Sequence, residues 1–70
     1  MKPLTGAEFA AALGRHGWTL LSVHHRQRIY GKPGISVRIS VPTHSDKPLK
    51  RGLLDYLLRM AGLDEADLRG

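Results

Sequence analysis

TLLSVHHRQRIYGKPGISVRISVPTH, residues 19–44, is the stretch that decides the fold of this 70-residue chain. Residues 36–41, SVRISV, alternate polar and apolar, the period-two pattern of a half-buried strand. Val37, Ile39 and Val41 then face a core, while Ser36, Arg38 and Ser40 face out. The strand stops at Pro42, which has no amide hydrogen to give a ladder. Upstream, the Pro33-Gly34 pair suits the two central positions of a type II turn, so a hairpin with residues 28–30 on its first arm is expected. Residues 19–23 supply another strand, with Thr19, Leu21 and Val23 on one face and Leu20 and Ser22 on the other. The sheet so formed is the expected working surface, and the two flanks of the chain are built to cover its apolar side.

The N-terminal flank is a helix. Thr5-Gly6-Ala7-Glu8 has capping-box spacing, with Leu4 and Phe9 at the staple positions around it. The helix is expected to run to about His16 and to stop at Gly17, with Phe9, Ala12, Leu13 and His16 along one face. Trp18 falls at the helix–sheet junction, where its indole nitrogen needs an acceptor. The C-terminal flank carries a second helix over about residues 50–61, whose Leu53, Leu54, Leu57, Leu58 and Ala61 form a wide apolar stripe. Gly62 ends it with Leu63 in the Schellman position, and Asp64 caps a last turn over Glu65–Leu68. Helix, three strands, helix, with one sheet face covered, is an α+β two-layer sandwich. Residues 1–70 read as one domain, near the small end of what one core supports.

Composition narrows the function classes. Without cysteine there is no disulfide or thiolate–metal staple, and a reducing compartment is permitted. No apolar run approaches the roughly 20 residues of a membrane span, so a cytoplasmic protein is expected. The net charge is +5, and it is concentrated. Nine cations (Arg15, Arg26, Arg28, Lys32, Arg38, Lys47, Lys50, Arg51, Arg59) share the middle of the chain with only Asp46 and Asp55. Such a body suits a polyanionic partner, nucleic acid or an acidic protein, although net charge also serves solubility alone. Lys47, Lys50 and Arg51 sit at the start of the second helix, where cations oppose the dipole and an anion would be welcome.

Proton transfer near neutral pH rests on the four histidines, each of which also fits an ordinary surface residue. His24 and His25 are adjacent, so on a strand they point to opposite faces, whereas His25 and Gln27 share one if the strand runs on unbroken. His44 lies past the third strand. No histidine pair has metal-ligand spacing, and phosphate-loop, dinucleotide and hydrolase-elbow motifs are missing. Neither metal nor cofactor is expected.

Gly17-Trp18, residues 28–34 (RIYGKPG), Val41-Pro42-x-His44, Pro48-Leu49-x-x-Gly52-Leu53-Leu54 and Met60-Ala61-Gly62-Leu63 together resemble the HicA toxin family in order and spacing, over nearly the whole chain. The resemblance implies a fold like the double-stranded-RNA-binding domain, messenger RNA cleavage, and a HicB antitoxin that covers the toxin. It also implies a Gly-Ser-His or Gly-Gly-His signature whose histidine is catalytic. That signature falls on His25-Arg26-Gln27, so the catalytic position is held by Gln27, which cannot exchange a proton near neutral pH. Three explanations stand open: a degenerate toxin, a deliberately disarmed one, or a neighbour serving instead. Of the neighbours, His25 is expected about 7 Å up the same strand face, with His44 behind it. Arg26, Arg28, Tyr30, Arg38, Lys47, Lys50 and Arg51 are the expected RNA contacts. A non-catalytic RNA- or protein-binding module of the same fold is the alternative, and a structural domain for an acidic partner chain the third reading.

Overall fold

A computed structural model describes residues 3–43 and 46–68. The elements are α1 (Gly6–Arg15), β1 (Thr19–His24), β2 (Gln27–Lys32), β3 (Ile35–Pro42) and α2 (Arg51–Ala61), then a 3₁₀ turn at Glu65–Leu68. The strands form one antiparallel sheet in the order β1-β2-β3. Both helices lie on one face of it, chiefly against β3. This is the expected α-β-β-β-α two-layer sandwich.

Each boundary has a local cause. The Thr5 hydroxyl accepts the Glu8 amide at 3.2 Å, while the Glu8 carboxylate accepts the Thr5 amide at 2.9 Å, and losing such a cap typically costs about 1 kcal/mol. Gly17, at φ 91°, turns the chain so that the Trp18 amide can donate to the Leu13 carbonyl at 3.0 Å. Gly34, at φ 78°, supplies the left-handed residue of the Pro33-Gly34 turn. At the end of α2, Gly62 is left-handed, and the Leu63 amide donates to the Leu58 carbonyl at 3.0 Å. Reciprocal bonds between Asp64 and Asp67 then close the 3₁₀ turn. This turn is tied back to α1, because the Asp67 carbonyl accepts from the His16 ring at 2.9 Å and the Leu68 carbonyl accepts from Arg15.

The core is built from α1 (Phe9, Leu13), the sheet (Tyr30, Ile39, Val41) and α2 (Leu54, Leu57, Leu58), with Trp18 at the junction. Phe9, Leu13, Ile39 and Val41 are fully buried, so α1 and β3 form its centre. α1 meets the end of β3 so closely that a Cβ on Gly6 would lie 1.7 Å from the Pro42 carbonyl oxygen. Beside that contact, Thr5 bridges to Pro48, and the Leu49 amide donates to the Leu4 carbonyl at 2.7 Å. The starts of both helices are thereby fastened to the Pro42 end of the sheet.

Three expectations change. Leu53 is exposed, because the stripe of α2 that meets the sheet is narrower than the run of leucines. The Trp18 indole nitrogen is buried without an acceptor among the described residues. The Trp18 ring instead lies 5.7 Å from the Lys32 ammonium, within cation–π range. In β1 the alternation breaks, since Leu20 pairs with Tyr30 but Ser22 pairs with Ile29, leaving Leu21 as the extra residue of a bulge. Leu20 and Val23 therefore share the core side, and Leu21 joins Ser22 on the other, its Cδ1 over Gly31. No helix is long and apolar enough to cross a membrane among the described residues.

Candidate nucleic-acid interface

The face of the sheet turned away from the helices is open, and the strand register says which side chains it carries. Gln27 lies opposite His24 on β1 and Pro42 on β3, and Ile29 lies opposite Ser22 and Ser40. Residues directly opposite each other share a face, so His24, Ser22, Gln27, Ile29 and Ser40 form one surface. Gln27 is exposed there, and its side-chain carbonyl accepts a hydrogen bond from the Ser40 hydroxyl. The amide NH₂ of Gln27 is left facing away from Ser40, able to donate but not to take up a proton.

The chain between β1 and β2 does not continue as strand through His25. His24 and Gln27 close a hairpin whose two loop residues are His25 and Arg26. His25 has φ 57°, and among the described residues it alone combines a side chain with positive φ. A positive φ at the first loop position is the type II′ pattern, where glycine is the usual residue. His25 and Gln27 therefore do not stand on one strand face about 7 Å apart, which removes the geometric ground for His25 as substitute. The group that does share the face of Gln27 is His24. The sequence hid this because a histidine stands where a glycine would have marked the turn.

The cations separate into groups. Arg26 is exposed at the hairpin tip, where its carbonyl accepts the Thr43 amide at 3.1 Å. Lys47 and Lys50 are exposed at the same end of the molecule, because Pro42 pairs with Gln27, abuts Gly6, and Thr5 bridges to Pro48. Arg51 begins α2, but its guanidinium is already paired with Asp55 at 3.3 Å and with Glu65. The Glu65 hydrogen bond, then the Asp55 and Glu65 charges, raise its pKa further above an already high value. Arg38 is on the open face, with Nη1 turned back onto the carbonyls of Ile35, Ser36 and Val37 at 3.3–3.4 Å. Those carbonyls belong to a second irregularity, between the Tyr30–Ile39 and Lys32–Ile35 pairs, so part of this side chain is spent on holding β3.

Two expected RNA contacts are misplaced. Arg28 lies opposite Val23 and Val41, so it leaves the sheet on the helix side, exposed, and not beside Gln27. Tyr30 is 6% exposed and packs in the core between Leu20 and Ile39, which leaves no ring face for a base. His44 lies outside the described residues. No cluster of three or more metal-ligating side chains occurs among the described residues.

Comparison with curated proteins finds no match. A family profile described as "HicA toxin of bacterial toxin-antitoxin" matches residues 6–63, from the start of α1 to the Leu63 contact that closes α2. With that span matched and the α-β-β-β-α architecture in place, the chain belongs to the HicA toxin family of toxin–antitoxin systems.

Proposed function

We propose that this protein is the RNA-directed toxin of its pair, binding RNA along the open sheet face and the Arg26, Lys47, Lys50 end of the molecule. Gln27 occupies the position of the catalytic histidine, so cleavage is slow. The observation that carries this reading is the backbone at residue 25. The family signature begins with glycine, and in this chain the matching residue, His25, has the positive φ that glycine serves. That agreement supports the register, and the register puts the signature histidine at Gln27, exposed on the open face.

Metal-free cleavage of RNA needs a base for the 2′-hydroxyl and an acid for the leaving oxygen. The Gln27 amide can bind a phosphate oxygen but can do neither. A family toxin implies a cognate antitoxin; a HicB-type partner would occupy the same face and exclude RNA from it. The non-catalytic alternative would use the same contact, the Ser40 hydroxyl on the Gln27 carbonyl, with the Gln27 NH₂ holding a phosphate and no proton transferred.

Replacing Gln27 by histidine is the direct test. Gln27 is exposed, so Gln27→His should change stability by no more than about 0.5 kcal/mol. It should raise RNA cleavage by about 10² to 10⁴-fold with little change in RNA affinity, because an imidazole N–H can donate to the same phosphate oxygen. A well-folded Gln27→His protein that binds RNA and cleaves it no faster than the parent would refute the catalytic part of the reading.

A further inference from the structure

We infer that His24 is the proton-transfer group this chain retains, acting across the hairpin with Gln27 as phosphate donor; the inference rests on the RNA-cleaving reading above. It starts from the His24–Gln27 pair, the last rung of the β1–β2 ladder before the turn. Directly opposed residues of an antiparallel pair place their Cβ atoms about 4.5–5.5 Å apart on the same face. An imidazole and a carboxamide of that separation can both reach one phosphodiester and its adjacent ribose.

The three described histidines differ in what surrounds them. The His16 ring is half-buried and bonded to the Asp67 carbonyl, on the helix layer away from the open face. His25 is in the turn with a left-handed backbone. His24 is exposed on the open face, and no group among the described residues hydrogen-bonds its ring. Its neighbours supply the rest of a site. The Ser40 hydroxyl holds the Gln27 carbonyl, so the Gln27 NH₂ is presented as a donor to a phosphate oxygen. Arg26, at the tip beside both, adds a cation for the same phosphate.

The step balances with these groups and water. A ring nitrogen of neutral His24 takes the proton of the 2′-hydroxyl. The O2′–P bond forms as the P–O5′ bond breaks, and O5′ takes a proton from water. The imidazolium then returns its proton to the hydroxide so formed, leaving a 2′,3′-cyclic phosphate and a 5′-hydroxyl. Water is a weaker acid than a placed imidazole, which fits a slow enzyme whose signature histidine is gone.

The test is single-turnover cleavage of a single-stranded RNA oligonucleotide by the parent, His24→Ala, His24→Gln and Gln27→His, with RNA affinity measured for each. The expected result is slow cleavage by the parent to a cyclic phosphate. Both His24 variants should fall about 10²-fold at unchanged affinity, and free imidazole should restore His24→Ala. Parent cleavage that His24→Ala and His24→Gln leave intact overturns the assignment. So does a parent that is inactive while Gln27→His cleaves, a result under which the RNA-cleaving reading survives. Binding without cleavage by all four proteins overturns both.

Discussion

Replacing His25 by glycine tests the hairpin on which the site assignment depends. His25 holds φ 57° with a Cβ present. A left-handed backbone costs an L residue about 1–2 kcal/mol, toward the low end for histidine, which enters this region more readily than most. Glycine removes that cost but loses about 0.4–1 kcal/mol through its freer unfolded chain. The net expectation for His25→Gly is a gain of about 0.5 kcal/mol. For a chain of 70 residues the unfolding entropy is about 0.15 kcal/mol/K, so the melting temperature should rise by about 3 °C. His25→Ala is the control, because alanine keeps the Cβ and therefore the strain. His24→Gly is the second, since on a regular strand glycine destabilises by roughly 0.5–1 kcal/mol. Thermal and urea unfolding of the three variants separates the cases. If His25→Gly melts no higher than His25→Ala, the turn is not left-handed at residue 25. The pairing of His24 with Gln27 then falls, and with it the location of the site.

Two further expectations follow from other parts of the structure. Gly6→Ala and Gly14→Ala, in the same helix, should move stability in opposite directions: the Gly6 Cβ would meet the Pro42 carbonyl at 1.7 Å, whereas nothing lies within 4 Å of a Cβ on Gly14. Thermal unfolding should show a loss of about 2 kcal/mol or more for the first and a gain of up to about 1 kcal/mol for the second; equal shifts would mean that α1 does not abut β3. RNA affinity should fall steeply with salt. Lys50→Ala and Arg26→Ala should each flatten that slope more than Arg51→Ala, because Arg51 already answers Asp55 and Glu65; a larger effect from Arg51 would show that RNA displaces those carboxylates.

Much of the fold was legible because its devices are local. The Thr5–Glu8 box, the Pro33-Gly34 turn, the alternation of Val37, Ile39 and Val41, and the Gly62–Leu63 ending each lie within a few residues, and the structure uses all four. What the sequence concealed depends on partners far along the chain or on one displaced residue. A bulge at Leu21 has no signature in TLLSV, since adjacent leucines satisfy either register until Tyr30 and Ile29 select one. Tyr30 reads as an exposed aromatic in a basic stretch, and only the helices on its side of the sheet bury it. The pairing of Arg51 with Glu65 spans an entire helix. The proposed site was open to a sequence reading at Gln27 and closed to one at His24, because pairing His24 with Gln27 requires knowing that the chain turns immediately after His24.

On the register proposed above, the signature has parts with separable jobs, and this chain carries other residues at all three of its positions, His25, Arg26 and Gln27. In that reading the glycine would serve the turn, a matter of stability, and the histidine would move protons, a matter of chemistry. His25 keeps the turn at the cost of a left-handed side chain, and β2 keeps its register because Tyr30 is locked in the core, Pro33-Gly34 fixes the far end and the Thr43 amide binds the Arg26 carbonyl. The fold therefore holds without its signature glycine, and nothing in its packing calls for the signature histidine, since Gln27 is exposed. A change made only to disarm the toxin needs one residue, Gln27. If the proposed register holds, the left-handed backbone at His25 adds strain and takes nothing from the chemistry, so a non-glycine residue there together with Gln27 would fit a degenerate toxin better than one disarmed at a single position.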